Sequence, residues 1–120
     1  HMSSKQMVFP YDTVVKLRRK ALVLVEGPFD ALRLINYNIP ALSILGTGNF
    51  HKENMGYFTN TCNGKIIIAM DNDKAGRKAR YEIAPQLQEM FDVEHFTCPE
   101  GDDPGGMPKA YLDELWRITR

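Results

Sequence analysis

Two short apolar runs, each halted by acid, limit this chain more than any other feature. The first is ALVLVE, Ala21 to Glu26; the second is KIIIAM, Lys65 to Met70, followed at once by Asp71-Asn72-Asp73. A half-buried strand alternates apolar and polar residues, whereas a short unbroken apolar run is a strand covered on both faces. Strands of that kind sit in mostly parallel sheets with helices on either side. Neither run approaches the roughly 18 residues of a membrane span, and the opening HMSSKQ has no apolar signal segment. No membrane partner is expected. The two cysteines, Cys62 and Cys98, are far apart and lack metal-ligand spacing, so the expected location is a reducing cytoplasm.

The 120 residues suit one domain. With 43% hydrophobic and 25% charged residues, the chain needs no staples to form a core. Residues 1–15 read as a tag remnant, His1-Met2, and a linker or tail; 16–120 read as the domain. Gly27-Pro28 ends the first strand, and proline suits the first turn of a helix. A helix over 29–37 would place Phe29, Leu32 and Ile35 on one side, with Asn38 and Pro40 as its stop. A strand over 41–45 follows, then the turn Gly46-Thr47-Gly48 and a short helix over 51–60. After Asp73 a helix is expected over 74–90, with Pro85 as a kink or boundary. A strand over 93–97, a loop over 99–106 and a helix over 108–118 complete the chain. This alternation predicts a compact α/β fold, about four mostly parallel strands flanked by helices. Ligands in such sheets bind beyond the carboxyl ends of the strands, where the strand order reverses.

Six acidic residues map to that edge: Glu26 and Asp30 after the first strand, Asp71 and Asp73 after the third, Asp102 and Asp103 after the fourth. Carboxylates crowded together do not all stay ionised without compensation. Hard divalent cations supply it, and Mg²⁺ takes a few carboxylates together with waters and substrate phosphates. The edge is therefore a candidate Mg²⁺ or Mn²⁺ site for phosphoryl chemistry. The plainer alternative is that Asp73 and Asp103 cap helix N-termini. His51 and His95 are isolated, so zinc has no ligand set.

Net charge is zero, from 15 basic and 15 acidic residues, which excludes coating nucleic acid by charge alone. Charge is nonetheless clustered. Lys74, Arg77 and Lys78 share a helical face immediately after the D-x-D and suit a polyanion, although Lys78 also stands four residues from Glu82. The turn at Gly46 and Thr47 reads either as a plain strand-to-helix connection or as a source of backbone N–H groups for a phosphate. Trp116, Tyr57, Phe58, Phe91 and Phe96 read as core rather than base-stacking residues, and neither cysteine has a sequence neighbour that would activate a thiol.

Together, VEGPFDALRL (Val25–Leu34) and IIIAMDNDKAGRKA (Ile66–Ala79) resemble the Toprim domain shared by topoisomerases and primases. The resemblance extends over residues 21–117, and the D-x-D-x-A-G-R-K-A stretch is similar to the DnaG-type and phage primase variant. PEGDDPGGM resembles the acidic D-P-D loop of primases, with Gly105 where a second aspartate is common. The resemblance implies a compact, Rossmann-like Toprim fold. It implies catalytic roles for Glu26, Asp71 and Asp73, and Mg²⁺ or Mn²⁺ held by Glu26, Asp30, Asp71, Asp73 and Asp103. Lys74, Arg77, Lys78, Gly46 and Thr47 become contacts to nucleotide or nucleic acid.

The implied activity is that of the metal-binding catalytic domain of a DNA primase, which makes RNA primers on single-stranded DNA from ribonucleoside triphosphates during DNA replication. DnaG-type primases also carry a zinc-binding module and a basic subdomain, for which this sequence has no residues. The chain is thus expected to be an excised segment, weak or inactive alone, working with other primase domains or a replicative helicase. Two alternatives stand beside it. A stand-alone small Toprim nuclease would use the same metal site with water as the nucleophile. A non-catalytic module of the response-regulator kind would need a lysine directly after the fourth strand, and none is there.

Overall fold

The computed structural model describes residues 19–43 and 62–120. In chain order these form β1 (Arg19–Val25), α1 (Pro28–Asn36), β2 (Ala41–Ser43), β3 (Cys62–Ile68), α2 (Lys74–Leu87), β4 (Asp92–His95) and α3 (Lys109–Ile118). The sheet has the order β2-β1-β3-β4. All three pairings are parallel. From β1 the chain moves outward to β2, and from β3 it moves outward the other way to β4. The strand order therefore reverses between β1 and β3, the place where open α/β sheets bind ligands.

The unbroken apolar runs are explained by alternation between two covered faces. Leu22, Leu24, Leu42, Ile66 and Ile68 point to one side, where Ala79, Ile83, Ala84 and Leu87 of α2 cover them. Ala21, Val23, Val25, Ala41 and Ile67 point to the other, against Ala31 and Leu34 of α1 and Leu112 and Leu115 of α3. Each strand residue thus loses its water whichever way it points, which is why polar residues are excluded from both runs.

Helix ends follow local chemistry. Pro28 opens α1, as its missing N–H allows. Asn38 ends the helix in the left-handed region at φ 60°. There Asn38 N donates to Ile35 O and Ile39 N to Leu34 O, each at 2.9 Å, while Ile39 packs in the same cluster as Leu34. This is the Schellman pattern, which satisfies the last carbonyls. Pro85 lies within α2, which stops two residues later at Leu87, short of the expected Met90. The third strand starts earlier than expected and ends at Ile68, so Ala69 and Met70 lead out of the sheet. The fourth strand is Asp92–His95 rather than 93–97.

Two packing expectations are corrected. Phe29 is 81% exposed and Leu32 39%, while Asp30, Ala31 and Leu34 are buried. Pairing of small Ala31 with Leu34 lets α1 lie close to the sheet, and that rotation turns Asp30 inward and Phe29 out. Trp116 also lies at the surface, with the Arg120 guanidinium 4.3 Å above its ring. Phe91 is buried and Phe96 partly so, as expected. The strand end at 44–45, Gly46 and Thr47, the short helix over 51–60, and Tyr57 and Phe58 fall outside the described residues.

Candidate metal centre

The β1 and β3 tips meet through side-chain and backbone contacts. Glu26 follows β1 directly, and its Oε1 accepts a hydrogen bond from Asp71 N at 2.9 Å. Ser43, the last residue of β2, donates to Glu26 O at 2.7 Å, fastening the third tip. Asp30 stands in the first turn of α1 and is only 8% exposed. The loop after β4 brings Asp103 to the same place. One carboxylate oxygen each from Asp30, Asp71 and Asp103 lie within 4.8 Å of one another.

The D-x-D and the loop are sewn together through the residue between the two aspartates. Asn72 N donates to Asp102 O, and Asn72 O accepts from Gly101 N, both at 2.9 Å. Its side-chain amide donates to Cys98 O at 2.7 Å. Asp30 Oδ1 accepts from Gly105 N at 2.8 Å, and Asp103 Oδ1 from Gly106 N at 2.7 Å. The two glycines permit this closeness. A Cβ at Gly105 would sit 2.4 Å from Asp30 Oδ1, and one at Gly76 would sit 1.9 Å from Asp71 O. Gly76 lets the first turn of α2 press onto the Asp71 backbone.

The remaining nominated residues are placed as follows. Asp73 caps α2, its Oδ1 accepting from Gly76 N at 2.7 Å. Lys74, Arg77 and Lys78 are all exposed along the start of α2. Arg77 Nη1 donates to Asn72 Oδ1 at 3.1 Å, so one of the three reaches back to the loop. Lys78 Nζ is 4.0 Å from Glu82, the pairing that their spacing suggested. Sequence reasoning overlooked Asn72, Gly76 and Arg33, whose guanidinium donates to Gly105 O, and it read Gly105 only as a departure from the D-P-D loop. Gly76 did carry a signal, because glycine inside a helix costs about 1 kcal/mol against alanine and is kept where backbones approach closely.

Electrostatics fit a cation. Burial, then the charges of Glu26, Asp30, Asp103 and Asp73, push the Asp71 carboxyl up to about 7. Burial and Asp103 raise Asp30 as well, against the hydrogen bonds from Gly105 and Gly27. Asp71 Oδ1 is sealed from solvent and has no hydrogen-bond partner. A buried acceptor left bare costs about 1–3 kcal/mol, and a divalent ion beside three carboxylates would satisfy it. Hard oxygen donors of this kind suit a divalent metal. Cys98 is no nucleophile: burial, then the nearby aspartates, push its thiol up to about 12.

The chain matches the Toprim-like family over residues 23–106. It is 34% identical over 98 residues to the DNA primase of Aquifex aeolicus, a match covering 80% of this chain and 20% of that protein. The chain therefore spans about a fifth of that curated relative. The crystal structure of the Aquifex aeolicus primase, with its zinc-binding and RNA polymerase domains, superposes with a TM-score of 0.75 at 27% identity. That superposition covers 98% of this chain and 30% of the other. The primase domain of bacteriophage T7, solved with the lagging-strand DNA polymerase and bound to an RNA/DNA hybrid, gives 0.60 at 26% identity, covering 83% of this chain and 53% of that one. A parallel four-stranded sheet whose central tips carry a carboxylate cluster, on a chain matched over most of its length, leads to one conclusion: this protein belongs to the Toprim-like family and is a Toprim domain of the DNA primase type.

Proposed function

We propose that this chain is the metal-binding catalytic domain of a DNA primase, serving RNA primer synthesis on single-stranded DNA during replication. The observation that carries it is the meeting of Asp30, Asp71 and Asp103 at the β1–β3 reversal, with Asp71 Oδ1 buried and bare. The similarity to DNA primases supplies the reaction class. Mg²⁺, or Mn²⁺ in its place, would activate the attacking 3′-hydroxyl and stabilise the leaving pyrophosphate. Asp30, Asp71 and Asp103 would hold the ion, and Asp73 and Glu26 would complete the acidic rim that faces the substrate. Glu26 also orients Asp71 by accepting from its backbone N–H. Lys74, Arg77 and Lys78 stand beside the rim to meet triphosphate or template phosphates, with Gly46 and Thr47 as further phosphate contacts.

Other primase domains and a replicative helicase are the proposed partners, since the curated DNA primases that the chain matches are several times longer than it. Among the described residues no helix is long and apolar enough to cross a membrane. The proposed setting is the cytoplasm of a bacterium or of a phage-infected host.

The test is a Mn²⁺ titration by calorimetry, followed by incubation with labelled single-stranded DNA and ribonucleotides in the presence of the other domains of a primase. Binding that disappears in an Asp71→Asn, Asp73→Asn double variant, together with primer extension, supports the proposal. Unchanged affinity in the double variant defeats it. Shortening of the labelled strand without extension identifies a nuclease instead.

A further inference from the structure

Arg33 lies one turn beyond Asp30 on α1, and the two side chains hold opposite ends of one residue. Asp30 Oδ1 accepts from Gly105 N at 2.8 Å, while Arg33 Nη1 donates to Gly105 O. The grip extends to the loop's own carboxylate, because Gly106 N donates to Asp103 Oδ1 at 2.7 Å. Arg33 is thus linked to Asp103 through the single peptide unit that joins Gly105 to Gly106. A Cβ at 105 would sit 2.4 Å from Asp30 Oδ1, so any larger residue has to displace that carboxylate. The second aspartate common in the D-P-D loops that this segment resembles would therefore move the Asp30 carboxylate from the place it takes here.

We propose that Arg33 is a positioning residue of the metal centre: by clamping Gly105 against α1 it sets the separation of Asp103 from Asp30. The role rests on the proposed divalent-ion site. Its chemical consequence is ion discrimination. Mg²⁺ demands near-ideal geometry at about 2.0–2.1 Å, whereas Ca²⁺ accepts looser shells at about 2.3–2.6 Å. A loop released from α1 loses the small ion's geometry first.

The experiment uses Arg33→Met, which keeps an unbranched stem and removes the donor, and Arg33→Lys, which keeps a donor. Amide exchange at Gly105 and Gly106 is read by NMR on metal-free protein, and Mg²⁺, Mn²⁺ and Ca²⁺ affinities by calorimetry. In Arg33→Met both amides are expected to exchange faster. Mg²⁺ and Mn²⁺ should bind about tenfold more weakly, the lower end for loss of an outer support, while Ca²⁺ stays within about twofold. Arg33→Lys should recover most of the affinity. Unchanged exchange in Arg33→Met overturns the clamp. Faster exchange with equal losses for all three ions, or with none, overturns the positioning role, because a merely structural contact does not discriminate by ion size. Wild-type protein that binds none of the ions removes the metal centre itself and this role with it. That failure is separable, because the exchange data still report on Gly105.

Discussion

Carboxylates at the rim and carboxylates on the outer faces live under opposite conditions. On the outside, Glu94 pairs with Lys65 at 2.6 Å, Asp113 with Lys109 at 3.0 Å, Glu82 with Lys78 at 4.0 Å, and Glu114 with Arg117. At the rim, Asp30, Asp71 and Asp103 face one another, and among the described residues none of them forms such an ion pair. A chain whose net charge is zero has sorted its charges rather than balanced them locally. Pairs in water contribute little and need no outside help. Like charges gathered away from water raise each other's pKa and leave room for a cation. The contrast separates acid that serves solubility from acid that serves chemistry.

The largest effect should come from Asp71→Asn. Divalent binding should fall by more than about 100-fold, beyond the range for outer supports, while the metal-free protein gains a few degrees in Tm as repulsion is relieved. Calorimetry and thermal unfolding at about pH 8 check both; a metal-free variant less stable than wild type would break the contrast. Next comes Gly76→Ala. Its Cβ would meet Asp71 O at 1.9 Å, and forcing backbone apart in this way should cost about 1–3 kcal/mol in denaturant unfolding.

The pH response is expected to be smaller and has a definite sign. Folded Asp71 holds its proton up to about 7, against 3.8 for an ordinary aspartate. Between those values the folded state binds more protons than the unfolded one, so metal-free stability falls as pH rises through that window. A bound divalent ion displaces that proton, so affinity should increase as pH climbs through about 7. Calorimetry in buffers of different ionisation enthalpy should detect proton release that fades above about pH 8. The smallest change belongs to the outer pairs: Glu82→Gln should leave Tm within about 2 °C. A drop comparable to that of Gly76→Ala would erase the distinction between the two regions.

Legibility followed the range of the interactions involved. The strand runs, Pro28 at the start of α1 and the acid after each central strand are local patterns, and each is found within about three residues of where the pattern put it. The buried face of α1 was misread because Phe29 satisfies helical spacing as well as Ala31 does; only contact with the sheet decides which side turns in. The acidic rim was legible as a set of residues but not as a geometry. Asp73 spends one oxygen on the α2 cap, while Asp30 and Asp103, from opposite ends of the chain, share the space around Asp71.

Residue order alone determined that β1 and β3 would be buried strands ending in carboxylate, because two covered faces exclude polar side chains from the run and admit them only past its end. Which carboxylates come within reach of a single ion was decided by tertiary structure. The loop over 99–106 is folded back by Asn72, Arg33 and two glycines. Those contacts join residues up to 75 positions apart, and hydrogen bonds over such separations form only after the sheet has brought their partners together.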